Sequence, residues 1–270
     1  MIGRLSFNQI TSKHATLEDC AQACVRHGVG WIAPWRDRVQ EAGLQHSARR
    51  LRDSGLRVSS LCRGGFFPAS TEAERLRRID DNRRAIDEAE ELEASSVVLV
   101  CGPAPDRDID GARKMVAEGI AALVPHARGR GIRLGIEPLH PMFAADRSVI
   151  VTLAEALDLA CQFDAATVGI VVDVFHVWWD PRLYFELRRA TGRILGFHVS
   201  DWAVPLPGNV TGRSMMGDGV IELRRIRAAV DETGYVGPIE VEIMNEKIWS
   251  QPLDVTFEQT IQSYRDHVEN

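Results

Sequence analysis

Val168-Gly169-Ile170-Val171-Val172-Asp173 is an apolar run that ends in an aspartate, and Val174-Phe175-His176-Val177-Trp178-Trp179-Asp180-Pro181 follows it directly. A run of this kind predicts a strand buried on both faces, as in a parallel sheet. The aspartate marks the point where the strand leaves the core. His176 and two tryptophans come next. Asp180-Pro181 predicts a helix start, with the aspartate as N-cap and the proline in the first turn. Strand, polar cluster and helix make one βα unit that carries its chemistry at the strand's C-terminal end.

The same unit recurs in both directions along the chain. Ile2–Asn8, Gly30–Pro34, Leu56–Leu61, Val97–Val100 and Ile132–Glu137 predict five strands before it, and Ile194–Ser200 and Pro238–Ile243 predict two after it. Helical patterns separate them. Thr16 caps a helix that Gly28 stops, and another runs from Trp35 to Gly55. Ser70 to Ala94 is a long charged helix with a stripe of Leu76, Ile79, Ile86 and Leu92. Asp108 to Gly129 is interrupted by Pro125, and further helices cover Thr152–Phe163, Asp180–Gly192, Ile221–Thr233 and the stretch after Pro252. Eight βα units in 270 residues fit a single-domain (β/α)₈ TIM barrel over 1–270. An open doubly wound sheet would carry a Gly-rich phosphate loop after its first strand, and none is present.

Composition narrows the function classes. The chain is 45% hydrophobic and 26% charged, enough apolar residues for one large core. A net charge of −6 argues against a general nucleic-acid binder. No run approaches a membrane span, and no secretory h-region opens the chain. Cys20, Cys24, Cys62, Cys101 and Cys161 are odd in number and scattered, as expected of reduced thiols in a cytoplasmic protein.

The last four strands end in Glu137, Asp173, His198 and Glu242. Side chains alternate across a strand, so parity tests where each points. Leu134 and Ile136, Ile170 and Val172, Leu195 and Phe197, and Val241 and Ile243 hold the opposite parity and must pack against the outer helices. The four polar residues therefore face the barrel axis at its C-terminal end, where active sites of this architecture lie. Three carboxylates and an imidazole converging there repel unless a cation joins them. One divalent ion is expected, with Glu137, Asp173, His198 and Glu242 as ligands and Mn²⁺, Mg²⁺, Co²⁺ or Zn²⁺ as candidates.

Gly135-Ile136-Glu137-Pro138-Leu139-His140-Pro141, Asp173-Val174-Phe175-His176, Phe197-His198-Val199-Ser200-Asp201, Gly217-Asp218-Gly219 and Val241-Glu242-Ile243 together resemble the sugar phosphate isomerase/epimerase family, which has the xylose isomerase-like TIM barrel. The resemblance runs the length of the chain and is most specific from Glu137 to Asn245. It implies the same four metal ligands, with manganese foremost, and it gives Glu137 and Glu242 the second task of moving protons. It assigns substrate contacts to His176 and to Arg213, the latter in a longer loop. It implies a small sugar or keto-sugar substrate and a homodimer or homotetramer, with no nucleic-acid or membrane partner. The ketohexose epimerases carry a further acid where this chain has Phe143, and a glutamate where it has Asp201. Their exact substrate is therefore not transferred.

An α-hydroxy ketone chelates a divalent ion, which stabilises the enediolate left when a carbon-bound proton departs. One carboxylate removes the proton and another returns it. Arg63 and His140 are further candidates to hold substrate oxygens, and Trp178 to stack on a ring. The expected activity is a metal-dependent isomerase or epimerase. A lyase or dehydratase on a keto-inositol or keto-glycoside uses the same first step. An endonuclease IV-like nuclease shares the Asp-x-x-His spacing but needs further histidines from strands three and four, whose ends read Leu61-Cys62-Arg63-Gly64 and Val100-Cys101-Gly102-Pro103. Two local expectations complete the picture. Inward Glu240 should pair with Arg4, or next with Arg133, because a bare buried carboxylate is costly. The loop from Asp201 to Gly219 should act as a lid, hinged at Gly208, Gly212, Gly217 and Gly219, that delivers Arg213.

Overall fold

A computed structural model describes residues 2–269. Its strands are β1 (Leu5–Asn8), β2 (Trp31–Ala33), β3 (Arg57–Val58), β4 (Leu61–Gly65), β5 (Ser96–Val100), β6 (Arg133–Glu137), β7 (Val168–Asp173), β8 (Ile194–Val199), β9 (Asp201–Trp202), β10 (Arg213–Ser214) and β11 (Ile239–Val241). Its helices are α1 (Leu17–His27), α2 (Arg36–Ala42), α3 (Leu44–Asp53), α4 (Glu72–Glu91), α5 (Ile109–Arg130), α6 (Leu153–Ala160), α7 (Val174–Val177), α8 (Leu183–Arg189), α9 (Leu223–Glu232), α10 (Glu246–Trp249) and α11 (Leu253–Tyr264).

The main sheet has the order β3-β2-β1-β11-β8-β7-β6-β5-β4, with every pairing parallel. Its two ends are halves of one chain segment, since only Ser59 and Ser60 separate β3 from β4. A parallel bridge from Trp35 to Cys62 joins the halves across β2's end. The sheet is thus a closed eight-strand TIM barrel whose third strand is split. The expected third strand, 56–61, is this segment read too short at its C-terminal end.

Parity behaves as the sequence predicts except at Leu195, where a register shift in the β7–β8 pairing turns the side chain inward against Gly169 and Ile194 faces the helices instead. Leu134, Ile136, Ile170, Val172, Phe197 and Val241 pack with the helices in one continuous core. Phe7 stacks on Phe257 of α11, with centroids 3.9 Å apart, which ties the first strand to the last helix. Inside the barrel, space is tight. A Cβ on Gly135 would lie 2.7 Å from Val171 Cγ2, so glycine there lets β6 and β7 close beneath the polar layer.

Several helices differ from their sequence patterns. α1 carries the capping box of Thr16 and Asp19 and ends on Gly28 at φ 71°, as read. The segment after Trp35 breaks at Gly43 into α2 and α3. On α4, Ile79, Ile86 and Leu92 of the expected stripe pack on the core, while Leu76 is 55% exposed and Asn82 is buried beside them. Asn82 clamps the end of β4, donating to Gly65 O and accepting from Gly65 N. Pro125 sits inside an unbroken α5. Asp180 does not cap a helix start at Pro181. It accepts from Arg182 N in a turn, and α8 begins at Leu183, while Asp173 itself caps the short α7. No described helix is long and apolar enough to cross a membrane.

Candidate active site

β6, β7, β8 and the residue after β11 deliver Glu137, Asp173, His198 and Glu242 to one place, with a donor atom from each within 4.8 Å of the others. All four are buried. His198 stands between the two glutamates, its Nδ1 3.4 Å from Glu137 Oε1 and 3.4 Å from Glu242 Oε2. Neither Glu137 Oε1 nor either His198 nitrogen has a hydrogen-bond partner, although all three are buried. Buried polar atoms normally find partners. Orphaned atoms of one carboxylate and the imidazole, converging with two further carboxylates, therefore fit a divalent cation. Among the described residues this is the one such group.

Arg213 lies against the cluster. Its Nη1 donates to Asp173 Oδ2 at 2.7 Å and to Glu242 O at 3.3 Å, and Nη2 is 3.5 Å from Glu242 Oε2. Asn245 Nδ2 donates to the Arg213 carbonyl at 2.8 Å and fixes the backbone. Arg213, which the loop was expected to deliver, is seated against the cluster and only 3% exposed. The 201–219 segment folds into the antiparallel pair β9–β10, pinned where Asp201 accepts from Trp202 N, Gly217 N and Ile221 N. Asp201 is a turn former, so it takes no place in the cation cluster.

Burial and neighbours pull the cluster's proton affinities apart. Burial, reinforced by Glu242 and Asp173, pushes Glu137 up to about 7. Burial acts the same way on Glu242, but Arg213 and His198 outweigh it and hold Glu242 at about 2. Burial disfavours a charged His198, yet Glu240, Glu137 and Glu242 raise it well above the ordinary histidine value. His176 falls to about 3 because it is buried, with Asp173 opposing the fall and Arg213 adding to it. Its Nδ1 faces the His140 N–H at 3.2 Å and its Nε2 faces Arg213 Nη2 at 3.2 Å. His176 is therefore a neutral imidazole, suited to hydrogen-bonding a hydroxyl and unsuited to acid catalysis.

Glu240 is inside the barrel, but its expected partners are wrong. Asn8 Nδ2 donates to Oε1 at 2.6 Å, and Ser59 and Ser60 hydroxyls each donate to Oε2 at 2.9 Å. His198 Nε2 lies 3.5 Å from Glu240 Oε1. Arg4 is one layer lower, at the barrel's base, bound to Gly237 O, Tyr235 O and Asp231. Three hydrogen-bond donors replace the single cation, because β1 and the break between β3 and β4 bring small polar side chains to that layer. Inward parity at Ser59 was the available signal.

The cavity over the cluster is lined by Glu137, Glu242, His176, Arg213, Arg63 and Arg147, with an apolar wall that includes Phe143 and Phe175. A larger groove of about 570 Å³ lies alongside and shares Trp35, Cys62 and Arg63 with it. The smaller cavity holds the titratable cluster, so the chemistry belongs there. Arg63 lines the cavity as expected. His140 and Trp178 do not: each packs in a tilted ring contact on Trp202, with centroids 5.0 and 5.5 Å away. Arg147 went unnoticed in the sequence, although a cation ten residues beyond Glu137 in a βα loop falls on the active face.

The model of the xylose isomerase-like TIM barrel family matches residues 21–267. A 3-dehydroshikimate dehydratase of Pseudomonas aeruginosa is 30% identical over 228 residues, covering 80% of this chain and 34% of that protein. The chain thus spans about a third of the length of that relative. An L-ribulose-5-phosphate 3-epimerase of Escherichia coli is 24% identical over 200 residues, 72% of this chain and 67% of the other. A solved protein of Sinorhizobium meliloti 1021 superposes with a TM-score of 0.98 at 45% identity, covering 100% of both chains. The IOLI protein, solved with a zinc atom, superposes with a TM-score of 0.86 at 19% identity, covering 98% of each. On its barrel and on the match to 21–267, this chain belongs to the xylose isomerase-like TIM barrel family.

Proposed function

We propose that this protein is a divalent-metal-dependent isomerase or epimerase of a small hydroxyketone, working by proton transfer. The observation that carries the reading is the placement of Glu137 and Glu242 on either side of His198, 3.4 Å from its Nδ1 in each case. Glu137, Asp173, His198 and Glu242 would hold the ion, with manganese preferred by this oxygen-rich set and magnesium, cobalt or zinc as alternatives. When bound, the ion supplies electrophilic stabilisation of charge developing on the substrate's oxygens.

The residues supply the rest. Glu137, which metal loading leaves deprotonated, is one candidate base. Glu242 faces it across the cluster and exchanges a proton on the other side of the bound carbon chain. Arg213 orients and charges the floor of the site through Asp173, and neutral His176 takes a substrate hydroxyl. Phe143 and Phe175 exclude water from the apolar wall.

A second reading is a dehydratase, favoured by the 30%-identical relative of that activity. It begins with the same proton removal and then expels a β-hydroxyl. Incubating the manganese-loaded protein with a panel of ketoses, ketose phosphates and cyclic keto acids distinguishes the two. Isomeric products of unchanged mass support the first reading. Loss of water, with the ultraviolet absorbance of a conjugated enone, replaces it with the second. No metal-dependent conversion of any hydroxyketone removes both.

A further inference from the structure

Most arginines of this protein that are partly buried have an acid beside them. Arg36 is held by Asp81 and Glu88, Arg78 by Glu74, Arg113 by Glu155, and Arg213 by Asp173. Arg63 and Arg147 are different. Both line the cavity over the carboxylate–histidine cluster. Among the described residues neither side chain donates a hydrogen bond or faces a carboxylate within ion-pair distance. Their recorded contacts are aromatic: Arg63 lies 4.1 Å over the Phe66 ring centroid and Arg147 lies 5.8 Å from that of Phe143.

Arg147 Nε is fully buried with no partner. A guanidinium nitrogen buried without an acceptor is costly, and such costs persist where a ligand supplies the missing partner. Arg63 is exposed, and its side chain lines the same cavity with no protein acceptor among the described residues. The two guanidinia therefore share one field. They come from different elements, Arg63 from strand β4 and Arg147 from the segment after β6, so no single local motif accounts for the pairing. Two convergent, unpaired guanidinia suit the planar, multidentate recognition of a carboxylate or phosphate. The rest of the wall offers apolar side chains, so the anion would be the main fixed point besides the cluster itself.

We propose that Arg63 and Arg147 form an anion subsite at the mouth of the cluster cavity, and that the substrate is a hydroxyketone carrying a carboxylate or a phosphate ester. The proposal rests on the function argued above, because the cluster must hold the keto end while the arginines hold the charged end.

The test is calorimetric binding to the manganese-loaded protein of three probes: D-fructose, D-fructose 6-phosphate and 5-keto-D-gluconate, a six-carbon keto acid. At least one anion should bind about ten- to hundred-fold more tightly than fructose, the strength of a charge-assisted pair. Which one gains tells phosphate from carboxylate. The advantage should shrink with added salt. Arg63→Met and Arg147→Met, which keep the apolar stems, should abolish it while leaving manganese affinity unchanged. Fructose binding as tightly as both anions, or an advantage that survives in both variants, overturns the subsite but leaves the function standing. Failure of all three to bind in a metal-dependent way overturns both.

Discussion

Arg213 Nη1 and Asp173 Oδ2 form a buried ion pair at 2.7 Å, and the same guanidinium reaches Glu242. The arginine thus supplies positive charge to an acid cluster that would otherwise repel itself. Removing one member of a buried pair leaves the other uncompensated, at a cost of about 3–5 kcal/mol.

Arg213→Ala should therefore lower the melting temperature of the metal-free protein clearly. A divalent cation can replace part of the lost charge, so added manganese should raise the melting temperature of the variant more than that of the parent. Substrate turnover by the variant should fall with or without added manganese. Equal melting temperatures with and without the arginine would show that the pair contributes nothing.

Glu240 buttresses the cluster from below, with Asn8, Ser59 and Ser60 holding it 3.5 Å from His198 Nε2. A carboxylate behind a ligating imidazole sets its orientation and basicity. Glu240→Gln should keep the barrel folded and weaken manganese binding about 10–100-fold. Calorimetric titration reads this directly, and unchanged metal affinity would confine Glu240 to packing.

Metal loading should release protons. Glu137 is raised to about 7 and His198 well above its ordinary value, so both carry protons near neutrality before a cation arrives. Groups with raised proton affinity must give up those protons to bind a cation, so apparent metal affinity rises as pH climbs through about 7. Titrations in buffers of different ionisation enthalpy count the protons. Affinity that is flat between about pH 6 and pH 8 would contradict this assignment.

Proton transfer through two glutamates predicts solvent exchange. In deuterated water the product should carry deuterium at the carbon that inverts or that neighbours the new carbonyl. Glu242→Gln should abolish this incorporation while substrate still binds. Full retention of the substrate's own hydrogen at early turnover would point to a hydride shift instead.

The glycine beneath the cluster makes a packing prediction. Gly135→Ala puts a methyl 2.7 Å from Val171 Cγ2 and should cost about 1–3 kcal/mol by overpacking. Val171→Ala in the same chain should recover much of that loss in a thermal melt.

Strand periodicity was enough to locate the cluster. Apolar residues of one parity at 134–136, 170–172 and 241–243, with Phe197, face the helices, which leaves Glu137, Asp173, His198 and Glu242 only the barrel axis. That inference needs no knowledge of what lies across the barrel, because alternation is a local property of each strand. The partners of Glu240 were not legible in this way. Asn8, Ser59 and Ser60 lie 232, 181 and 180 residues away along the chain, and the stagger between strands decides which layer they share. Parity places Arg4 inside but not at what height, which is why it belongs to the base. The βα loops were still less predictable. Arg213 is seated, Arg147 faces the cavity, and His140 and Trp178 pack on Trp202 instead of lining it, because a loop's path is set by what it packs against and no repeat in its own residues records that.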